Sequence, residues 1–326
     1  MLTYWNNYPT IQNKLQAVCS IIEEQLAVRN KEIQDTLTDF ANSGGKYLRP
    51  AFFLLFAELG PKEQQNNQQL LQVAASIEIL HMATLIHDDI IDDSPKRRSQ
   101  ITIQSKYGKD IAVYAGDLLF TQFFDLLTQT INGSSYMSIN ARAMKSLLLG
   151  ELDQMHTRFN QQETIEQYLK SINGKTAELF WLACSEGAHF GQTTSEIEKK
   201  AGEIGRNIGL AFQIYDDILD YTAQEKVLQK PILEDLAQGV YTLPLILAKK
   251  GHEDEFAFYL DKKNLLTAKE AQKVAALVNK YHGIEKARQM ALAYTQKALE
   301  EIEQLPRGQS SDNIKKLTQK LLQRVY

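Results

Sequence analysis

Between Gln68 and Asp93 the chain places Leu70, Val73, Ile77, Leu80, Thr84 and Asp88 at intervals of three or four. That spacing aligns them on one face of a long helix and gives a strand no consistent side to bury. The same spacing runs from Asp110 to Thr130, from Ala141 to Arg158, from Lys175 to Phe190, from Ser195 to Tyr221, and from Ala268 to Leu305 with a break near Gly283. Strand alternation and two-residue hairpin signals are not evident, and Asn132-Gly133 and Asn173-Gly174 read as connections between helices. The seven prolines sit between the periodic segments or at their starts, where a missing N–H is tolerated. The pattern predicts an all-α fold. With no Ser/Gly/Pro-rich linker, low-complexity tract or short-period repeat, one domain over residues 1–326 is expected.

Composition narrows the function classes. Hydrophobic residues make up 44% and charged residues 23%, ordinary values for a globular chain with a sizeable core. A net charge of −4 argues against a nucleic-acid binder, which usually shows a basic face. Cys19 and Cys184 lie far apart, with neither CxxC nor Cys/His spacing, so buried thiols in a reducing compartment are expected rather than a disulfide or zinc site. The first residues lack a basic stretch followed by an apolar run, and no segment approaches about 18 consecutive apolar residues. The expectation is a cytoplasmic chain with no integral membrane segment.

Two acidic clusters carry the chemistry. Asp88-Asp89-Ile90-Ile91-Asp92-Asp93 follows the apolar run Ile77 to His87, and Asp216-Asp217-Ile218-Leu219-Asp220 follows Ile208 to Tyr215. Both fit DDxxD. On a helix the first and last aspartates of each motif lie one turn apart on one face, where like charges repel. A divalent cation reverses the sign, and magnesium is commonly held by one or two carboxylates together with substrate phosphate oxygens. Two such clusters facing each other would form a clamp for magnesium and a diphosphate. The bland alternative, two solvated helix ends, does not account for two copies of one form, each set into an apolar helix.

The complementary charges are also present. Gly44-Gly45-Lys46-Tyr47-Leu48-Arg49-Pro50 and the pair Arg97-Arg98 offer forked and point-charge donors for phosphate oxygens, enough for two anionic groups. In this combination and order the motifs resemble the trans-type isoprenyl (polyprenyl) diphosphate synthases, including geranylgeranyl, hexaprenyl and heptaprenyl diphosphate synthases. The likeness covers about positions 40 to 250: GGKYLRP at 44–50, IEILHMATLIHDDIIDD at 77–93, the arginines at 97–98, GD at 116–117, GELDQ at 150–154, KTAELF at 175–180, GLAFQIYDDILD at 209–220 and TLP at 242–244.

The resemblance implies a single large helical bundle around a central hydrophobic cavity, a homodimer, and condensation of isopentenyl diphosphate with an allylic diphosphate. Asp88, Asp89, Asp92, Asp216, Asp217 and Asp220 would hold three magnesium ions on the allylic diphosphate. Arg97, Lys175 and Lys230 would contact the same group. Lys46, Arg49, His81 and Arg98 would bind isopentenyl diphosphate, Thr176 and Gln213 would lie beside the reacting carbons, and Phe212 would face the isopentenyl tail. Three departures stand out: Ser99 and Val240 replace a common glycine and a common lysine, and the residues after Pro231 differ from the usual small pair.

Product length is implied in the same way. Ala83 and Thr84 stand five and four residues before Asp88, about 6–7.5 Å down the helix axis, where short-chain members carry aromatic residues, so the resemblance implies products of about thirty to thirty-five carbons, with about twenty the alternative. Leu80, Ile77, Phe123, Phe124 and Leu127 are candidates for the floor.

Three rival readings have identifiable signatures. A terpene cyclase shares the ionisation chemistry but needs no second diphosphate site. A di-iron helical bundle uses Glu-x-x-His pairs, of which Glu78 to His81 and Glu186 to His189 are instances, yet it leaves the aspartate and basic motifs unexplained; Glu78 and His189 read as packing residues. A non-catalytic subunit of a heteromeric synthase would have eroded motifs, although a heteromeric partner for an active subunit stays compatible with the sequence.

Overall fold

The computed structural model describes residues 2–42, 45–64, 67–98, 100–222 and 233–322. Its regular structure is helical apart from a short hairpin, Lys96–Arg97 paired antiparallel with Gln100–Ile101. The helices are α1 (Pro9–Gln25), α2 (Lys31–Asn42), α3 (Leu48–Ala57), α4 (Gln68–Ile91), α5 (Ile103–Tyr107), α6 (Lys109–Ile131), α7 (Tyr136–His156), α8 (Ile165–Ile172), α9 (Glu178–Phe190) and α10 (Ser195–Thr222). After them come α11 (Glu234–Ala237), α12 (Leu243–Lys249), α13 (Glu253–Leu260), α14 (Ala268–Lys280), α15 (Gly283–Ile302) and α16 (Gln309–Leu322). The periodic segments of the sequence are recovered as α4, α6, α7, α9, α10 and the pair α14–α15, with the break at Gly283 as read.

The chain forms two compact units. The first contains Met1–Ala141, Leu182–Gly202 and Pro306–Ile314; the second contains Arg142–Trp181, Glu203–Leu305 and Lys315–Tyr326. In the first unit α3 is buried from Pro50 to Ala57, and α1 contributes Ile11, Leu15, Val18 and Ile22 to the same core. The spacing along α4 predicts one buried face, but Ala74, Ala75, Ile79, Met82, Ala83 and Ile86 are buried as well. Such a helix, apolar on every side, is a core element rather than a surface one. In the second unit Leu236, Tyr241, Leu245, Phe256, Val274 and Val278 build a cluster from α11 to α14. Thr164 and Thr267 cap α8 and α14 with reciprocal side-chain bonds to Gln167 and Glu270, which fixes where those helices start.

By length and hydropathy α4 and α6 would each pass as a membrane span. The apolar stretch of α4 is 72% buried and is interrupted by Glu78 and His81, as suits a core helix, whereas that of α6 is 39% buried. Asn132-Gly133 is the connection the sequence predicts. Asn173-Gly174 is not: residues Asn173–Ala177 form a π-helical turn that carries α8 into α9 without a break. Glycine is needed at 174 for close approach, because a Cβ there would sit 2.6 Å from the Ser146 carbonyl oxygen and 3.0 Å from the Gly150 Cα. Such turns recur at functional sites.

Candidate active site

The first aspartate cluster occupies the C-terminal turn of α4. The helix ends at Ile91, and Asp92 caps it with its N–H on the Asp88 carbonyl at 2.9 Å, so Asp88 and Asp92 keep their one-turn spacing. Asp89 is buried, while Asp88 and Asp92 are half-buried. Carboxylates at a helix C-terminus oppose the negative end of the helix dipole as well as one another, and a bound cation removes both penalties. Arg97 already offsets part of this charge: its Nε donates to Asp89 Oδ1 at 2.8 Å. Asp93 adopts a left-handed conformation (φ 52°) that turns the chain into the hairpin carrying Arg97.

One turn earlier, His87 explains the GD motif. Its Nε2 lies 3.1 Å from Asp117 Oδ1, its Nδ1 lies 2.9 Å from the Ala83 carbonyl, and its ring stacks on Phe120. A Cβ on Gly116 would fall 2.3 Å from the imidazole Cε1, so glycine precedes Asp117 for want of space. Ala83 and Thr84 are buried, with the Thr84 hydroxyl donating to the His81 carbonyl at 2.8 Å.

The cationic residues of the first unit gather on the N-terminal side of α3. The Trp5 indole donates to the Lys46 carbonyl at 2.7 Å, and Lys46 Nζ lies 5.8 Å from the Tyr4 ring centroid, with its side chain exposed. Tyr47 starts α3 from a left-handed conformation (φ 50°). Arg49 follows in the first turn, half-buried. Burial lowers its pKa to about 10, with Glu78 opposing and Arg98 adding to the fall, so it stays charged at neutral pH. His81 is held well below the ordinary imidazole range by burial first and then by Arg49, Arg98 and Arg97, which leaves a neutral ring. Glu78 is buried one turn before His81, and burial raises its pKa above the ordinary carboxylate value, with Arg49 and Arg98 opposing.

The second cluster lies in α10, within the second unit. Asp217 is buried: Tyr168 donates its hydroxyl to Oδ2, and Gln213 Nε2 donates to Oδ1 at 2.8 Å. Gln213 in turn accepts at Oε1 from the Thr176 hydroxyl at 2.7 Å, which orients its amide. Burial raises the Asp217 pKa well above the usual carboxylate range, and the charge of Asp235 adds to the rise; the Tyr168 and Gln213 bonds oppose it. Asp216 is exposed. Asp220 accepts the Leu233 amide at 2.9 Å on Oδ1, while Oδ2 is enclosed and accepts no hydrogen bond. Burial pushes its pKa up to about 6.

Lys175 and Thr176 both stand on the π-helical turn. Lys175 Nζ reaches back to Glu151 Oε2 at 2.9 Å and Gln154 Oε1 at 3.0 Å, so the GELDQ segment serves to aim a lysine. Gly150 lets the turn approach, because a Cβ there would meet the Lys175 nitrogen at 2.4 Å. Phe212 packs on Phe180 with centroids 5.8 Å apart. Val240 is buried and donates its N–H to the Asp235 carbonyl at 2.8 Å. Lys230, Gly44 and Ser99 lie outside the described residues.

Among the described residues no three His, Cys, Asp or Glu side chains converge as a metal cage. Magnesium does not require one, since it keeps several waters and takes its remaining ligands from one or two carboxylates and from substrate phosphates. Carboxylates crowded at a helix C-terminus, and a buried Asp220 oxygen without a donor, are the chemistry such a cation fits. The Glu-x-x-His pair of α9 is differently engaged. Glu186 bonds to Asn140, and His189 Nδ1 lies 2.9 Å from Glu198 Oε2.

The family model described as polyprenyl synthetase matches residues 30–281. This chain belongs to the polyprenyl synthetase family. A curated member, heptaprenyl diphosphate synthase component 2 of Bacillus subtilis (strain 168), is 30% identical over 312 residues, covering 92% of this chain and 88% of the relative. The crystal structure of geranylgeranyl pyrophosphate synthase from Lactobacillus brevis superposes with a TM-score of 0.94 at 41% identity, covering 99% of this chain and 100% of that one. Polyprenyl synthase from Caulobacter crescentus, crystallised with calcium and isoprenyl diphosphate, gives a TM-score of 0.90 at 27% identity, covering 98% of this chain and 97% of that one. As a polyprenyl synthetase the chain is a prenyltransferase, and its all-helical architecture is the isoprenoid synthase fold.

Trp5, Glu78, Glu151, Gln154 and Tyr168 are the site-forming residues that sequence reasoning leaves out. Glu151 and Gln154 fall inside a segment quoted for its likeness, and Glu78 was visible as a carboxylate in an apolar run. Trp5 and Tyr168 act across 41 and 49 residues of sequence, where no local pattern points to them.

Proposed function

We propose that this chain is a magnesium-dependent trans-prenyltransferase. It condenses isopentenyl diphosphate with an allylic diphosphate and releases a longer all-trans polyprenyl diphosphate. The carrying observation is the divergence of two adjacent arginines. Arg97 turns to Asp89 at 2.8 Å, whereas Arg98 reaches the GGKYLRP segment, where a Cβ on Gly45 would come within 3.2 Å of its Nη1. One arginine thus serves the aspartates and the other a separate cationic group. A terpene cyclase has no use for that second anion site.

Asp88, Asp89 and Asp92 of the first unit, and Asp216, Asp217 and Asp220 of the second, would hold magnesium, three ions in all as the resemblance implies, for the allylic diphosphate; the calcium and isoprenyl diphosphate named for the Caulobacter crescentus relative support this. When bound, the metal supplies Lewis-acid stabilisation of charge on the leaving diphosphate. Arg97, Lys175 and Lys230 add charged hydrogen bonds to the same oxygens, which matter most as the allylic carbon–oxygen bond breaks. The Thr176–Gln213 pair sets fixed dipoles beside the allylic cation, and Phe212 faces the isopentenyl tail. Lys46, Arg49, neutral His81 and Arg98 hold isopentenyl diphosphate while its double bond attacks. A proton then leaves the new cation for the departing diphosphate, and no protein nucleophile is needed.

Buried small residues at 83 and 84 favour a product of six or seven isoprene units, with four the alternative. The chain works as a single cytoplasmic domain, and exposed Ile111, Val113 and Tyr114 on α6 offer apolar surface for a homodimer. The Bacillus subtilis relative is called component 2, so a second component is the other assembly to test. Incubation with allylic diphosphate alone separates the chemistries. This reading expects diphosphate release only after isopentenyl diphosphate is added; release of a hydrocarbon without it identifies a cyclase.

A further inference from the structure

Asp217 is gripped at both carboxylate oxygens. Tyr168 donates its hydroxyl to Oδ2, Gln213 donates its amide to Oδ1 at 2.8 Å, and the Thr176 hydroxyl holds that amide from its other side at 2.7 Å. The two outer donors stand on one continuous piece of chain, Tyr168 in α8 and Thr176 on the π-helical turn that follows it. Their targets, Gln213 and Asp217, lie one turn apart on one face of α10. A single helix can serve both targets only if its own two donors also share a face.

On a regular α-helix they would not, because residues eight apart stand about 80° apart around the axis at about 100° per residue. The π turn changes this. Glu178 donates its N–H to the Asn173 carbonyl five residues back, and a turn closed in that way rotates the chain less per residue than an α turn. Thr176 thereby swings back toward the face that Tyr168 occupies. Both ends of the piece are fixed: Thr164 and Gln167 cap α8 just before Tyr168, and Gly209 lets α10 close on the turn, since a Cβ there would lie 2.5 Å from Ala177 Cα. Tyr168 and Asp217 are 4% and 3% exposed, so bulk water does not compete for their bond.

We infer that Tyr168 is a positioning residue of the second aspartate cluster, and that α8 with its π turn is a brace that holds Asp217 from both sides, directly through Tyr168 and through Gln213 by way of Thr176. This rests on the reading of Asp217 as a magnesium ligand. A carboxylate has about four lone-pair sites on its two oxygens, so two donors fix its plane and leave acceptor capacity for a cation. The phenol touches no reacting atom. Its effect is on how well the carboxylate is presented to the metal, and partners that orient a metal ligand in this way are typically worth about 10- to 100-fold in metal affinity or activity.

The test is calorimetric titration of magnesium into the full chain in the presence of inorganic diphosphate, where no reacting carbon takes part. Tyr168→Phe removes one oxygen and keeps the ring; the magnesium affinity falls about tenfold or more, while the KM for isopentenyl diphosphate in turnover assays stays within about twofold. In an Asp217→Asn background the same change adds less than about threefold, because it acts through that carboxylate. Thr176→Val cuts the other arm and lowers the magnesium affinity by about threefold or more, and it decides the matter where Tyr168→Phe does not fold. An unchanged affinity in the folded variant, or a tenfold loss that persists undiminished in the Asp217→Asn background, overturns the inference. If Asp217→Asn weakens magnesium and neither arm does, only the brace falls. If Asp217→Asn leaves the magnesium affinity intact, the reading of Asp217 as a ligand fails and this inference with it.

Discussion

Gln213 lies one turn before Asp217 in α10 and donates its amide to Oδ1 at 2.8 Å, while Thr176 holds the far side of that amide. The carboxylate proposed as a metal ligand and the amide proposed to lie beside the reacting carbons are thereby one hydrogen-bonded unit. Asp217→Asn therefore disrupts both, and kcat falls by at least about a hundredfold, more than loss of an outer-shell partner of a metal ligand costs. Folding is not the cause. Removing a carboxylate that burial and Asp235 both disfavour leaves the metal-free melting temperature unchanged or slightly higher. Circular dichroism melts beside turnover assays check this, and a normal rate or an unfolded variant contradicts it.

The two diphosphates separate by mutation. Lys46→Ala weakens isopentenyl diphosphate by about 1.5–3 kcal/mol, the usual loss for a charged hydrogen bond, with little change for the allylic partner. Substrate-specific KM values measure it, and equal losses for both substrates contradict the assignment.

How much of this was legible in the sequence follows from the range of each interaction. The aspartates, Gly45 to Pro50 and the arginine pair are local patterns, and the structure keeps their local geometry, including the one-turn spacing of Asp88 and Asp92. The helical segments were legible because apolar periodicity survives burial. Asn173-Gly174 misled because a glycine chosen for backbone approach to Ser146 and Gly150 has the composition of a turn. Tyr168, Trp5 and the charge partners of Glu78 depend on packing between distant segments, which one sequence does not encode in any spacing.

Glu186 gives a pH-dependent prediction remote from the chemistry. It is fully buried and bonded to Asn140, and burial pushes its pKa up to about 8, with that bond opposing. An acid that binds its proton more tightly folded than unfolded lowers stability as pH rises from the ordinary carboxylate range to its folded pKa. The loss proceeds between about pH 4.5 and 8 and then levels off. Glu186 Oε2 and Asn140 Oδ1 are both enclosed and without a hydrogen-bond partner. Glutamine supplies a donor to that pair at every pH. Glu186→Gln accordingly stabilises by about 1–3 kcal/mol at pH 8 and by almost nothing at pH 4.5, as read by denaturant melts. An equal effect at both pH values contradicts it.

Product length tests the tail route. Ala83 is fully buried two residues past His81 on α4. Ala83→Phe fills the path of the growing chain and shortens the product to three or four isoprene units, with the first condensation largely retained because the aspartates are untouched. Mass analysis of extracted products reads the outcome, and an unchanged distribution means that the tail runs elsewhere.

The most direct measurement of the central claim is product mass analysis after the purified chain is incubated with magnesium, isopentenyl diphosphate and allylic primers of two, three and four isoprene units. The account predicts polyprenyl diphosphates extended in whole isoprene steps. They should form only when magnesium and both substrates are present, and should vanish when a chelator is added. Hydrocarbon from the allylic primer alone, or extension that persists in chelator, would contradict it.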